Sequence, residues 1–169
     1  MIAPVQSFLP IRCELRRPTA DLACARAILD LHENEIKQLA DQGLFPAWNI
    51  ARVVEPSPRG EGRVRGNGSS SLRTERRFLT RALRDYADGR PVTRDEDLIV
   101  RLLYGKEKPY ILGKYFCQTW NCDSGHMINL VEDKTLDLVK GTSYSQGRGC
   151  TPCITWSSAL KFLKTRRIA

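Results

Sequence analysis

A short polar break, Asn121-Cys122-Asp123, constrains this chain more than any other feature, because it interrupts two apolar helical phrases at close quarters. Before it, Phe116, Cys117 and Trp120 fall at i, i+1 and i+4, the spacing of one buried helical face. After it, Met127, Leu130 and Val131 fall at i, i+3 and i+4. Asp123 suits the N-cap of the second helix, since its carboxylate can accept from the free N–H groups of the first turn. Two short helices that each bury one stripe and meet at a tight turn form a helix-turn-helix.

The residues that follow extend this unit. Thr135-Leu136-Asp137-Leu138-Val139 alternates like a short strand, and 140–152 carries the Gly, Ser and Thr of an exposed hairpin tip. Cys153-Ile154 returns as a second strand. Thr155 then caps a closing helix with Trp156, Ala159, Leu160 and Leu163 on one face, ending in Lys164-Thr165-Arg166-Arg167. From the turn at Trp120-Asn121-Cys122-Asp123, through the exit at Leu130 to Leu136, to the closing helix from Thr155 to Arg167, this order resembles the excisionase and MerR-type winged helix-turn-helix family. The sequence departs from that pattern at Gly125, which costs about 1 kcal/mol of helix propensity, and at Lys134, where the family often has Gly. The resemblance covers roughly the last third of the chain. It implies duplex DNA binding in recombination directionality, in gene regulation of a phage or plasmid, or in DNA packaging.

The first half repeats the theme. Leu22, Ala25, Ile28 and Leu29 make an apolar face, and Asp30-Leu31-His32-Glu33 is a break with Asp and Glu at capping-box spacing. Ile36, Leu39 and Ala40 mark a second helix, with Gly43 at its exit and a strand over 47–51. Gln42-Gly43-Leu44-Phe45-Pro46-Ala47 resembles the same family's helix exit more closely than the later copy does. The glycine, proline and arginine of 52–71 predict a long, basic wing. A helix capped by Ser71 follows, with Leu72, Phe78, Leu79, Ala82, Leu83 and Tyr86 inward and Arg73, Arg76, Arg77, Arg81 and Arg84 outward. Thr93 to Glu96 reads as a second capping box, opening a connector helix with Leu98, Ile99, Leu102 and Leu103 apolar, expected to pack between the copies. The fold class expected is mainly α with small β wings: two tandem winged helix-turn-helix domains, 1–89 and 109–169, joined by a connector helix and linker over 90–108.

A formal charge of +8 favours a polyanionic partner. No run is long enough to span a membrane, and Met1 to Pro10 lacks the pattern of a signal peptide. A cytoplasmic protein with its six cysteines as thiols or metal ligands is therefore expected.

Three chemistries compete for the polar residues. Cys117, Cys122, His126, Cys150 and Cys153 could supply a zinc site, yet Cys117 and Cys122 stand where a helix-turn-helix needs small core residues. No metal or cofactor is expected. His32 and His126 are the two histidines, and the chain carries no Ser-His-Asp order, P-loop or dinucleotide turn, so no enzyme is expected. Base readout fits better. A second helix in the major groove would present Ser124, Gly125, His126, Ile128 and Asn129, with Asn129 able to pair bidentately with adenine and Ile128 to meet a thymine methyl. Lys140, Tyr144 and Arg148 at the hairpin tip would meet phosphates. In the first copy Asn34, Lys37 and Gln38 offer the same face, and Arg52, Arg59, Arg63 and Arg65 line the long wing. Glu33 and Glu35 repel phosphates there, which favours a competing class, a protein-interaction adaptor contacting other chains through the first domain or the connector. A zinc-stabilised nucleic-acid module is the other alternative.

Overall fold

The computed structural model describes residues 17–54, 71–122, 124–142 and 152–168. Among them the chain is mixed α/β, with seven helices and two small antiparallel sheets. In chain order these are β1 (Thr19–Ala20), α1 (Leu22–Leu29), α2 (Glu33–Asp41), β2 (Ala47–Val54), β3 (Ser71–Leu79), α3 (Thr80–Ala87), α4 (Glu96–Tyr104), β4 (Tyr110–Leu112), α5 (Gly113–Trp120), α6 (Ser124–Glu132), β5 (Cys153–Thr155) and α7 (Trp156–Arg166).

The same backbone path is traced twice. In each half a short strand leads into two helices, separated by a residue in the left-handed conformation: Asp30 at φ 52° and Asn121 at φ 51°. Asp and Asn tolerate that conformation better than other residues with side chains. The exits also match. Gly43 donates to the Ala40 carbonyl and Lys134 to that of Val131, both with positive φ. The strand before the closing helix is clamped identically, by Leu79 N–H to Pro46 and Thr155 N–H to Asp137. The next residue donates to a proline carbonyl in both halves, Thr80 to Pro18 and Trp156 to Pro109. Phe78 pairs with both Ala20 and Ala47, as Ile154 pairs with both Ile111 and Leu138. The equivalence runs without insertion from Arg17 and Lys108 to Ala47 and Leu138, although only Pro18/Pro109 and Leu39/Leu130 are identical over that span. What persists is the burial: Ala25 and Phe116, Ile36 and Met127, Phe45 and Leu136 all lie inside.

Four expectations are corrected. Residues 71–79 form a strand, not the first turns of a helix, because all eight residues of β2 find partners in β3, from Ala47–Phe78 to Val54–Ser71. The capping box of α2 belongs to His32 and Glu35 rather than Asp30 and Glu33, since Asp30 is already used to end α1. Asp95, not Thr93, caps α4, accepting from the N–H groups of Asp97 and Leu98. In the second half the strand expected over 135–139 contracts to a single bridge at Leu138. Thr155 does cap α7, accepting from Ser158 N–H. Gly89 and Gly105, placed by the sequence at the ends of the helix after the wing and of the connector, do follow α3 and α4.

One hydrophobic cluster runs through both halves. Its hub is Trp120, which meets Trp48 of β2, Tyr104 of α4 and Phe162 of α7 at centroid distances of 5.4, 6.3 and 5.6 Å. Burying a ring of this size stabilises by about 3 kcal/mol or more from area alone. The expected connector, α4, buries Ile99, Leu103 and Tyr104 and leaves Leu98 exposed. Its inner face is bonded to the second half, where Trp120 Nε1 donates to Tyr104 Oη at 3.0 Å and Thr119 Oγ1 to the Leu103 carbonyl at 3.3 Å. Burial pushes the Tyr104 hydroxyl far above the ordinary phenol range, with the Trp120 bond opposing.

Sheet β1-β3-β2 has two covered faces, which explains the burial of Arg77. Ala20, Ala47 and Phe78 face their own helices, whereas Thr19, Trp48 and Arg77 sit on the reverse, toward the second half. Arg77 is fully buried, donating from Nε to Thr19 Oγ1 at 3.2 Å, from Nη2 to the Thr19 carbonyl at 2.9 Å and from Nη1 to Glu75 Oε1 at 2.9 Å. The Thr19 hydroxyl in turn donates to the Thr119 carbonyl across the junction. Arg167 forms a bridge with Trp48, and Ile168 N–H donates to the Ala47 carbonyl at 2.8 Å, so the segment after α7 closes the edge of β2.

Candidate nucleic-acid interface

Helix α6 is held by one stripe. Met127 and Leu130 are buried, with Met127 Sδ 3.8 Å from Cys117 Sγ on α5. Gly125 and Asn129 are exposed on the opposite side, and Ile128 is half-buried. His126 is also half-buried, and both ring nitrogens are shielded from solvent, so its ring does not join the outward face. The backbone of Ser124 opens the helix; Asp123 lies outside the described residues. Beyond the helix, Lys140 is exposed in a turn where Thr142 N–H and Oγ1 both bond the Val139 carbonyl and Gly141 takes φ 81°. Tyr144 and Arg148 lie outside the described residues. The outward set brought together on α6 is therefore Gly125, Ile128 and Asn129.

The equivalent face of α2 is different chemically. Asn34 and Gln38 are exposed, as expected. Lys37 shares its charge with a carboxylate, its Nζ lying 2.5 Å from Glu33 Oε1 in a solvent-exposed pair. That hydrogen bond, and then the lysine charge, hold the Glu33 carboxyl below its ordinary range. Glu35 accepts from His32 N–H at 2.8 Å, and Asp41 accepts from Arg76 Nη1 at 3.0 Å. The same Arg76 nitrogen donates to the Lys37 carbonyl at 3.2 Å. Each carboxylate of this helix thus has a partner within the chain while remaining at the surface. Arg52 lies within β2, and Arg59, Arg63 and Arg65 lie outside the described residues.

An open cleft of about 780 Å³ separates α2 from the turn of the second half, lined by Asp21, Glu33, Lys37, Asn49, Arg76 and Asn121 among others. Lys37 and Arg76 there pair with Glu33 and Asp41, and Asp21 accepts from Cys24 N–H at 2.8 Å as the cap of α1, which makes the cleft a solvated seam between the halves. Sequence reasoning placed Arg76 and Arg77 on a helix face and missed both roles. The signal was the gap in apolar period between Leu72 and Phe78, which a helix of that length would not leave.

Among the described residues no three His, Cys, Asp or Glu side chains come together as a metal-binding group. Cys153 is buried in β5, and Cys150 lies outside the described residues. No helix among the described residues is long and apolar enough to cross a membrane. Comparison with family models, with curated protein sequences and with solved structures finds no match to this chain.

Proposed function

We propose that this chain is a non-enzymatic, sequence-preferring double-stranded DNA-binding protein built from two winged helix-turn-helix units. The observation that carries this reading is the repeated path of strand, helix, left-handed turn, helix, returning strand and closing helix, with α6 docked by Met127 and Leu130 and its other side exposed at Gly125 and Asn129. A helix held this way, on a chain of charge +8, has the shape and polarity to enter a major groove. Asn129 and Ile128 then read base edges, Gly125 lets the backbone approach, and Lys140 meets a phosphate. The family resemblance favours an excisionase-like or regulatory role in a mobile element.

A second reading is favoured for the first unit alone. The carboxylates of α2 and the engagement of Lys37 leave Asn34 and Gln38 as neutral outward groups, a surface suited to a protein partner rather than to phosphates. Titrating fluorescent random-sequence duplex with the protein over a salt series tests the main proposal. With about five phosphates neutralised, the logarithm of affinity falls with that of salt at a slope of roughly −4 to −5. A flat response refutes DNA binding and leaves the adaptor reading.

A further inference from the structure

Within the chain, the reverse face of the first sheet is closed by the second half, whereas on the reverse face of the second sheet Cys153 is buried but the β4 residues Tyr110 and Leu112 are exposed. Thr19 is fully buried, whereas its equivalent Tyr110 is 43% exposed, and Leu112, two residues along the same face, is 47% exposed. The closing surface is three consecutive residues at the end of α5. The Thr119 carbonyl accepts from Thr19 Oγ1, the Trp120 ring packs edge-on against Trp48, and Asn121 Oδ1 accepts from Arg17.

Both sides of this junction have counterparts within the chain, half-buried at Ile28, Leu29 and Val139 and exposed at Asp30, Lys108 and Tyr110. Ile28, Leu29 and Asp30, at the end of α1, are equivalent to Thr119, Trp120 and Asn121. Asp30 is exposed, and its backbone (φ 52°, ψ 39°) superimposes in torsion on that of Asn121 (φ 51°, ψ 42°). On the receiving side, Lys108, Tyr110 and Val139 are equivalent to Arg17, Thr19 and Trp48. The donors are matched in kind, ammonium for guanidinium and phenol for hydroxyl, and Lys108 is exposed.

We propose that the chain associates head to tail with a second copy of itself: the end of α1 in one copy docks on the reverse face of β4 and β5 in another. The contact repeats between chains the junction already made within each chain. The Lys108 ammonium meets the Asp30 carboxylate, the Tyr110 hydroxyl donates to the Ile28 carbonyl, and Leu29 packs on Val139 and Leu112. The charges at the paired positions are opposite, and the apolar residues fall where Trp120 and Trp48 meet. Such an interface is heterologous, joining different surfaces of the two copies, so it is free to add further copies. The association needs no nucleic acid.

Sedimentation velocity across a concentration series, on the full chain, tests it. The wild type is expected to show mass rising above the dimer with concentration. Lys108→Glu and Asp30→Lys are each expected to weaken association by roughly tenfold or more, through like-charge contact. Lys is tolerated in the left-handed conformation in this molecule, as Lys134 shows at φ 56°. An equimolar mixture of the two variants regains assembly, because each now offers the complement of the other. Leu112→Arg, at an exposed position, abolishes assembly while circular dichroism stays that of the wild type. A wild type that stays monomeric throughout overturns the proposal. So does loss with Lys108→Glu but not with Asp30→Lys, the signature of two Tyr110–Leu112 faces pairing with each other.

Discussion

Replacing Arg77 by methionine separates two effects that oppose each other at the junction of the halves. The substitution removes a charge from a site with no solvent contact, which by itself favours folding. It also takes a donor from each group that the guanidinium meets: the Thr19 carbonyl and hydroxyl, and Glu75, whose side chain is 24% exposed. Removing one partner of a buried pair typically costs about 3–5 kcal/mol. Water reaches part of Glu75, which places Arg77→Met at the lower end, a loss of about 3 kcal/mol from a total of roughly 5–15. Adding Glu75→Gln removes the charge of the carboxylate that has lost Arg77 and leaves mainly the Thr19 acceptors, worth about 1–2 kcal/mol. The double variant is therefore more stable than the single one. Urea unfolding at neutral pH, followed by circular dichroism, gives both values. A single variant within about 0.5 kcal/mol of wild type, or a double variant less stable than the single, refutes the reasoning.

Tyr104→Phe leaves Trp120 Nε1 buried without its acceptor, and urea unfolding is expected to show a loss of about 1–3 kcal/mol. Gly113→Ala places a Cβ 2.5 Å from Met127 Cε and 3.1 Å from the Pro152 carbonyl oxygen, so a loss of about 1–3 kcal/mol is expected in the same assay. The Glu33 carboxyl is held low by Lys37, so its contribution to stability is present above the unfolded-state value and disappears as pH falls through the folded one. Thermal midpoints recorded from neutral to acid pH should accordingly fall less steeply for Glu33→Gln than for wild type. On duplex DNA, Asn129→Ala is expected to relax preference at one base pair by about 1–3 kcal/mol, while Lys140→Ala weakens all sequences alike; competition binding against single-base variants distinguishes them.

Local signals in this sequence were legible where one residue decides one feature. Gly43, Gly89 and Gly105 mark helix exits, Thr155 marks a cap, and the spacing of Met127 and Leu130 marks the buried stripe of α6. The duplication was legible from apolar period although almost no residue is shared between the halves. β3 was not, because a fully buried arginine reads as a surface residue until the carbonyl and carboxylate that neutralise it are known. The His32 cap was missed because Asp30, the stronger capping type, stands two residues away and serves as a left-handed helix end instead. Nor could the sequence show which face of the first sheet meets Trp120, since Trp48 and Arg17 are brought to it by tertiary packing alone. His126, expected on the exposed face, is half-buried with both ring nitrogens shielded.

The shared core around Trp120 also makes the distance and angle between α2 and α6 a fixed property of the molecule rather than of a linker. A ligand that touches both helices must match that geometry or deform to it. On duplex DNA, inserting a single base pair between two half-sites turns one relative to the other by roughly 35°. Were both helices to read the duplex, the protein would then keep one grip and forfeit the other; were only α6 to read it, the insertion would change nothing.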